Sequence, residues 1–271
     1  MSPDNIEKFH DELSMTQPSV QTIKRGGSRF YVHPETAAKV PGVTSIVGNL
    51  PKPFLKFWGE KLVAEEAVDN LPAVTQLLMN GKRQAAIDML KGAPRRTTSD
   101  AAQMGTDVHG LVEKLNRGES LGQLHPDLQP WIDNYRTWLE DWQPQFLFVE
   151  ATAWSETHGY AGTLDGICKV EGDLLMWDLK TGKATYPEVG LQLSAYANAD
   201  YLIAADGTKT ELPKIDLGAV LHLRTDSCTF KPVRIDAPVF EVFKSLIQVT
   251  EWLSEISKTV LGAPLTQNQE K

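Results

Sequence analysis

Two aspartates and a lysine near the middle of this 271-residue chain are of the types, and at the spacing, that metal-assisted hydrolysis needs. Residues 163–170 and 173–181 are rich in Leu, Ile, Val and Trp, and only Glu171-Gly172 separates them, which predicts a β-hairpin with a two-residue loop. That loop sets Val170 against Asp173, and stepping outward sets Asp165 against Asp178. Directly opposed side chains on one face of a sheet have Cβ atoms about 4.5–5.5 Å apart. Two carboxylates held that close in apolar strands repel one another, and a divalent cation between them relieves the repulsion. Lys180, two residues beyond Asp178, projects from the same face of its strand. Asp165, Asp178 and Lys180 thus read as a two-carboxylate metal site with an ammonium beside it. A lysine so close to a carboxylate would ordinarily be a salt-bridged strand residue, but a cation on Asp178 would leave it available.

The segments around this triad are GTLDG (162–166), WDLKTGK (177–183) and QLSAY (192–196), preceded by Glu150 and by GTDVHGLVEK (105–114). In that order they resemble the PD-(D/E)xK nuclease superfamily, specifically its RecB-like exonuclease branch. The likeness is to phage-encoded and CRISPR-adaptation-exonuclease-like members, and PGVTSIV and PKPFLKFW near residues 41–58 extend it faintly. The resemblance implies a restriction-endonuclease-like α/β core and a metal-dependent DNA exonuclease acting in phage replication, recombination or end processing. It implies Mg²⁺ or Mn²⁺ held by His109, Asp165, Asp178 and the backbone carbonyl of Leu179. Lys180 would orient or deprotonate the attacking water, and Gln192 and Tyr196 would position the lysine or the substrate backbone near the DNA. Glu150 would stand beside the site. The expected partners are DNA, single-stranded or with free ends, and a recombination or replication protein, in the cytoplasm of the host and with no membrane. Many members of the branch carry four cysteines that hold an iron–sulfur cluster; this chain has two, Cys168 and Cys228, so no such cluster is expected and both read as reduced core residues.

Two other readings stay open: a catalytically inactive DNA-binding module of the same fold, and a metal-dependent phosphoesterase acting on something other than DNA. No glycine-rich phosphate loop of the P-loop kind is present to favour a nucleotide substrate. No zinc finger or helix-turn-helix pattern suggests base reading.

The elements that must position these residues follow from periodicity. The pattern predicts a helix over residues 100–116, with Thr98 or Ser99 as N-cap and Gly118 just past its end. On it His109 and Glu113 share a face; spacing alone leaves His109 an ordinary surface or packed residue, and the resemblance is what brings it to the metal. Residues 126–142 carry a wide apolar stripe and predict a second helix. Residues 145–154 read as the first sheet strand, and Pro187 opens a helix running to about Ala204 with Gln192 and Tyr196 on one flank. Residues 217–224 and 229–235 read as strands, and residues 240–260 as a closing amphipathic helix. Upstream, 28–33 and 39–44 suggest a small hairpin. Residues 54–67, 73–79 and 83–90 suggest helices, and Gly92, Pro94 and residues 97–100 a break. The expected architecture is α/β, a mixed central sheet flanked by helices. A flexible leader (1–27) and a disordered tail (262–271) would bracket one nuclease domain (28–261), divided into a helical N-terminal extension (28–97) and a catalytic core (98–261).

The net charge of −8 is unevenly spread. Residues 101–200, which hold the proposed site, carry 15 acidic and 6 basic groups, whereas residues 51–100 carry 8 basic and 6 acidic. Lys52, Lys56, Lys61, Lys82, Arg83, Lys91, Arg95 and Arg96 make that second stretch either a phosphate-facing surface or a set of solvated helix faces. No run of apolar residues is long enough for a membrane span.

Overall fold

The structure is a computed structural model and describes residues 20–204 and 206–264. Most of the expected leader and tail lies outside those residues, but the leader as drawn is too long. Gln21–Arg25 (β1) pairs antiparallel with Ser28–Val32 (β2) through a turn in which Gly26 and Gly27 both take positive φ. Lys39–Pro41 (β3) completes this small sheet as the third strand. The N-terminal region then turns helical, with Val43–Val47 (α1), Pro53–Asp69 (α2), Leu71–Met79 (α3) and Arg83–Lys91 (α4).

The next helix, Ala93–Asn116 (α5), begins seven residues earlier than the pattern suggests and runs straight through the expected break. Pro94 falls in its first turn, where a missing N–H costs nothing. The hydroxyls of Thr97 and Thr98 donate to the carbonyls of Ala93 and Pro94 one turn back, so neither serves as a cap. The far end is as expected: Gly118 has φ of 72°, and the N–H groups of Gly118 and Glu119 donate to the carbonyls of Leu115 and Lys114. Gln129–Trp142 (α6) follows and buries Trp131, Ile132, Tyr135 and Trp138.

The strands from here on are Gln145–Val149 (β4), Thr152–Ser155 (β5), Tyr160–Thr163 (β6), Gly166–Val170 (β7) and Asp173–Lys180 (β8). After the helix Glu188–Ala197 (α7) come Tyr201–Ile203 (β9), Lys209–Glu211 (β10), Leu217–Leu223 (β11) and Cys228–Val233 (β12), then Ala237–Ser254 (α8). The fold is mixed α/β, with a helical region ahead of a five-stranded sheet of order β12-β11-β8-β7-β4. Within it β8 and β11 run parallel and the other neighbours antiparallel. The helix expected to reach Ala204 stops at Ala197, because Tyr201, Leu202 and Ile203 are instead buried as strand β9 of a second sheet, ordered β10-β9-β5-β6.

The β7–β8 hairpin has the expected register, Val170 against Asp173 and Gly166 against Trp177. Both loop residues take positive φ, Glu171 at 51° and Gly172 at 107°, the backbone that a two-residue turn of matching twist requires. The single strand expected over 145–154 is two strands in two sheets. The chain turns out of the five-stranded sheet at Glu150-Ala151 to form β5, and returns to it from β6 at Leu164-Asp165. The two connections brace each other: the Glu150 N–H donates to the Asp165 carbonyl at 3.3 Å and the Leu164 N–H to the Ala151 carbonyl at 2.9 Å. Glu150 takes φ of 55° to make the corner.

Alternation along β8 divides the core. Leu175, Trp177 and Leu179 pack with Val108 and Val112 of α5 and with Trp131, Tyr135 and Trp138 of α6. Met176 packs on the other face with Leu193 and Tyr196 of α7, Phe243 of α8 and Val43 and Ile46 of α1. Cys168 is buried and Cys228 partly exposed, and both are free thiols.

Close packing at the corner makes Gly166 sensitive. A Cβ there would lie 2.6 Å from Trp177 Nε1 and 2.9 Å from the Phe148 carbonyl oxygen. Gly166→Ala is expected to lower stability by about 1–3 kcal/mol, the usual cost of forcing a methyl group into a filled site. Urea unfolding followed by tryptophan fluorescence measures it; an unchanged midpoint would show that the corner yields easily.

Candidate functional site

The corner is where the candidate residues gather. Because β7 begins only at Gly166, Asp165 stands just beyond the ladder, opposite Asp178 in register but outside regular strand geometry. Its Oδ2 accepts the Leu179 N–H at 2.5 Å, supplying the bond that the partner strand no longer can. Its Oδ1 lies 3.7 Å from His109 Nδ1, an ion-pair distance, so α5 does lay its histidine over the end of the hairpin.

Asp178 faces the other way, toward α7. The Gln192 side-chain N–H donates to Asp178 Oδ1 at 2.7 Å and reaches the Tyr196 hydroxyl at 3.3 Å, while Lys180 Nζ approaches Gln192 Oε1 at 3.4 Å. Lys180 Nζ is also 2.5 Å from Asp178 Oδ2, a contact that is electrostatic rather than a well-directed hydrogen bond. Two expectations are therefore corrected. The aspartates do not project from one face, because the chain changes sheet at Leu164 and carries Asp165 out of the pleat. Lys180 is not free of Asp178 but forms the ion pair that a strand lysine at this spacing ordinarily makes. Tyr196 is fully buried against Gly162, so any action on a ligand passes through Gln192.

A hollow of about 10 Å³, room for one water or bare ion, lies on the α5 side. His109, Glu113, Asn116, Glu150, Asp165 and Leu179 contribute to its wall. Glu113 also pairs with Arg117 at 2.7 Å. Burial raises the Glu150 carboxyl from 4.5 to about 8, with Asp165 and Glu113 adding to the rise. Burial also pushes Asp178 up to about 6, against the pull of Lys180. Burial opposes the charge on Asp165 too, but the imidazole of His109, the ammonium of Lys180 and the Leu179 amide hold its carboxyl below the usual range. Burial likewise opposes the charges of His109 and Lys180, and the two aspartates more than offset it, so both cations are favoured.

The donor set is of the right chemistry for a divalent ion: carboxylates and one imidazole around an ion-sized space. The Leu179 carbonyl leaves the strand on the same side as its N–H, toward the corner. As the side chains stand, no three His, Cys, Asp or Glu groups among the described residues are close enough together to hold an ion. Asp165 is turned to the Leu179 amide and Asp178 to Gln192 and Lys180, so an ion requires both to reorient. Buried Asn116 Nδ2 and Trp177 Nε1, on residues that line the hollow, have no hydrogen-bond partner, which suits a water beside the ion.

Sequence reasoning missed Asn116, although it continues the His109–Glu113 stripe by one more helical step. Of the basic row in residues 51–100, Lys52 pairs with Glu188 at 3.1 Å, Lys61 with Glu65 at 3.4 Å and Arg96 with Glu66 at 2.8 Å. Lys56, Lys82, Arg83, Lys91 and Arg95 are exposed.

No family model matches the chain, and no curated protein matches it. Among solved structures, thirteen chains match. One, described as "Crystal structure of SSO0001", aligns at 12% identity and a TM-score of 0.33 over 74% of this chain and 87% of its own. No helix among the described residues is long and apolar enough to cross a membrane.

The Glu150 environment has a pH consequence in the metal-free protein. Because folding raises this carboxyl from 4.5 to about 8, its contribution to stability is complete below 4.5 and is lost as pH rises toward 8. With EDTA present, Glu150→Gln is expected to change stability little near pH 5 and to raise it by roughly 2–4 kcal/mol near pH 9, at ~1.4 kcal/mol per unit with a discount for partial exposure. Denaturant midpoints at the two pH values decide; an equal effect at both would remove ionisation as the cause.

Proposed function

We propose that this chain is a divalent-metal-dependent nuclease of the PD-(D/E)xK type, an exonuclease hydrolysing phosphodiester bonds in DNA. The observation that carries the reading is the arrangement at one sheet corner of Asp165 and the α5 residue His109 beside an ion-sized hollow, with the Asp178–Lys180 pair on the opposite face of the same strand end. The order of motifs in the sequence supports the same assignment. His109, Asp165, Asp178 and the Leu179 carbonyl are the groups that would hold Mg²⁺ or Mn²⁺, with Glu150 beside them. When bound, the metal supplies charge neutralisation at the scissile phosphate and an acidified water.

The chain's own residues do the rest. Lys180, favoured as an ammonium, offsets charge on the phosphorane and orients the attacking water. Gln192 contacts both Lys180 and Asp178 through one amide, and thereby fixes the distance between the ammonium and the carboxylate. Tyr196, buried beneath, fixes Gln192 in turn. Asp165, by accepting the Leu179 N–H, holds the end of β8 in place.

One observation favours a second reading, the inactive DNA-binding module. Lys180 already neutralises Asp178, as it would in a protein that never takes up an ion there. A nuclease assay on end-labelled single and double strands, with and without EDTA, separates the two. Activity that vanishes with EDTA and returns with excess metal is expected. Asp178→Asn and Lys180→Ala should each lower the rate at least about 100-fold, the scale of removing one preorganised charge or proton-transfer group. Circular dichroism should remain near wild type. Retained cleavage in either variant, or binding without cleavage in every metal, would overturn the proposal. A nitrogen ligand accommodates Mn²⁺ better than Mg²⁺, so activity with Mn²⁺ should equal or exceed that with Mg²⁺. Activity confined to Mg²⁺ would remove His109 from the ligand set.

A further inference from the structure

Phe54 and Tyr186 are aromatic rings that the core does not use. Phe54 lies in the first turn of α2, a helix with no buried side chain, and Tyr186 in the loop leading from Lys180 to α7. The rings are stacked, with centroids 5.7 Å apart and planes 13° apart, yet they remain 45% and 47% exposed. A cleft of about 280 Å³ runs from Tyr186, on which Phe54 stacks, to Lys180, and its wall includes Lys52, Tyr186, Glu188, Gln192 and Lys180. It lies on the α7 side of β8, where Asp178 and Lys180 face, and is separate from the ion-sized hollow under α5.

The chemistry around the pair is specific. Lys52 stands in the cleft wall, partly neutralised by Glu188 at 3.1 Å. Lys56 is one helical turn along α2 and Lys183 is three residues before Tyr186; both are exposed. Exposed aromatic faces flanked by ammonium groups are the combination that holds an unpaired nucleic-acid strand, whose bases stack while its phosphates meet the cations. A duplex keeps its base faces covered except at an end. The cleft is close to the lower limit of a small-ligand pocket, ~300 Å³, and thus far too small for a double helix.

We propose that Phe54 and Tyr186 form a base-stacking platform for an unpaired stretch of the substrate strand, whose backbone passes through the cleft toward Lys180. The proposal rests on the nuclease reading above and narrows its substrate to single strands and frayed ends. A protein partner covering the same rings is the rival occupant, and the experiment separates it.

Fluorescence anisotropy of labelled oligothymidine, and of a blunt duplex of equal length, is measured on the full chain in EDTA. The double substitution Phe54→Ala with Tyr186→Ala is expected to weaken single-strand binding by roughly 5- to 150-fold, the equivalent of losing one stacked base. Duplex binding should change less than twofold, roughly the scatter of exposed substitutions. Phe54→Trp should retain single-strand affinity, and Phe54→Leu should not, which distinguishes stacking from simple apolar contact and guards against misfolding of the double variant. Equal losses on both ligands, or none, would overturn the platform and leave the rings to a protein partner. Wild-type cleavage in Mn²⁺ is scored separately. If the wild type neither binds nor cuts nucleic acid, the nuclease reading falls and the platform with it. If it cuts single strands while the double variant binds them normally, the platform alone falls.

Discussion

A buried amide with no strand to bond to is the constraint from which the rest of the corner follows. Where the chain crosses from one sheet to the other after β6, β8 runs on past its last antiparallel pair at Trp177, and the Leu179 N–H, two residues beyond that pair, is left facing a gap. An orphaned buried donor costs on the order of 1–3 kcal/mol. The Asp165 carboxylate fills the gap, and a carboxylate there calls for positive charge nearby, which His109 and Lys180 provide. At Asp165 the proposed site is thus also a structural repair, and removing that carboxylate would leave the Leu179 amide without its bond.

The same corner shows why buried acids and bases are tolerated in so small a space. Asp165 is ionised and bonded, Asp178 is buried and paired, and Glu150 is part-buried and favoured as the neutral acid. Three carboxyls in one low-dielectric region diverge in acidity because each has different neighbours. The two faces of β8 then do different work. Trp177 and Leu179 anchor the sheet to α5 and α6, whereas Asp178 and Lys180 meet the amide of Gln192 on α7.

Much of this arrangement was legible in the residues. The hairpin register was readable because a two-residue loop leaves no freedom in pairing, and Glu171-Gly172 can adopt the backbone it needs. The His109–Glu113 stripe was readable because α5 is regular there. The sheet change at Glu150 and Leu164 was not, since apolar residues continue through both corners and nothing local marks which sheet receives them. Glu150, a non-glycine residue at positive φ, gives no hint in composition. The start of α5 is not legible locally, because Pro94, Thr97 and Thr98 have the composition of a break, although proline suits a first turn and threonine hydroxyls can bond back along a helix. β9 was hidden inside an apolar run that a helix would have accommodated equally well.

The parallel pairing of β8 with β11 has a consequence for how the molecule comes into being. A parallel neighbour cannot be reached by a tight turn, so α7, β9 and β10 must all be threaded before β11 can dock. The β7–β8 hairpin is a local structure and closes quickly, but His109 arrives from far upstream and β11 from far downstream, contacts whose loop-closure entropy places them late in assembly. A chain emerging from the ribosome therefore carries Asp165 and Asp178 before it carries the enclosure that sets their acidity apart.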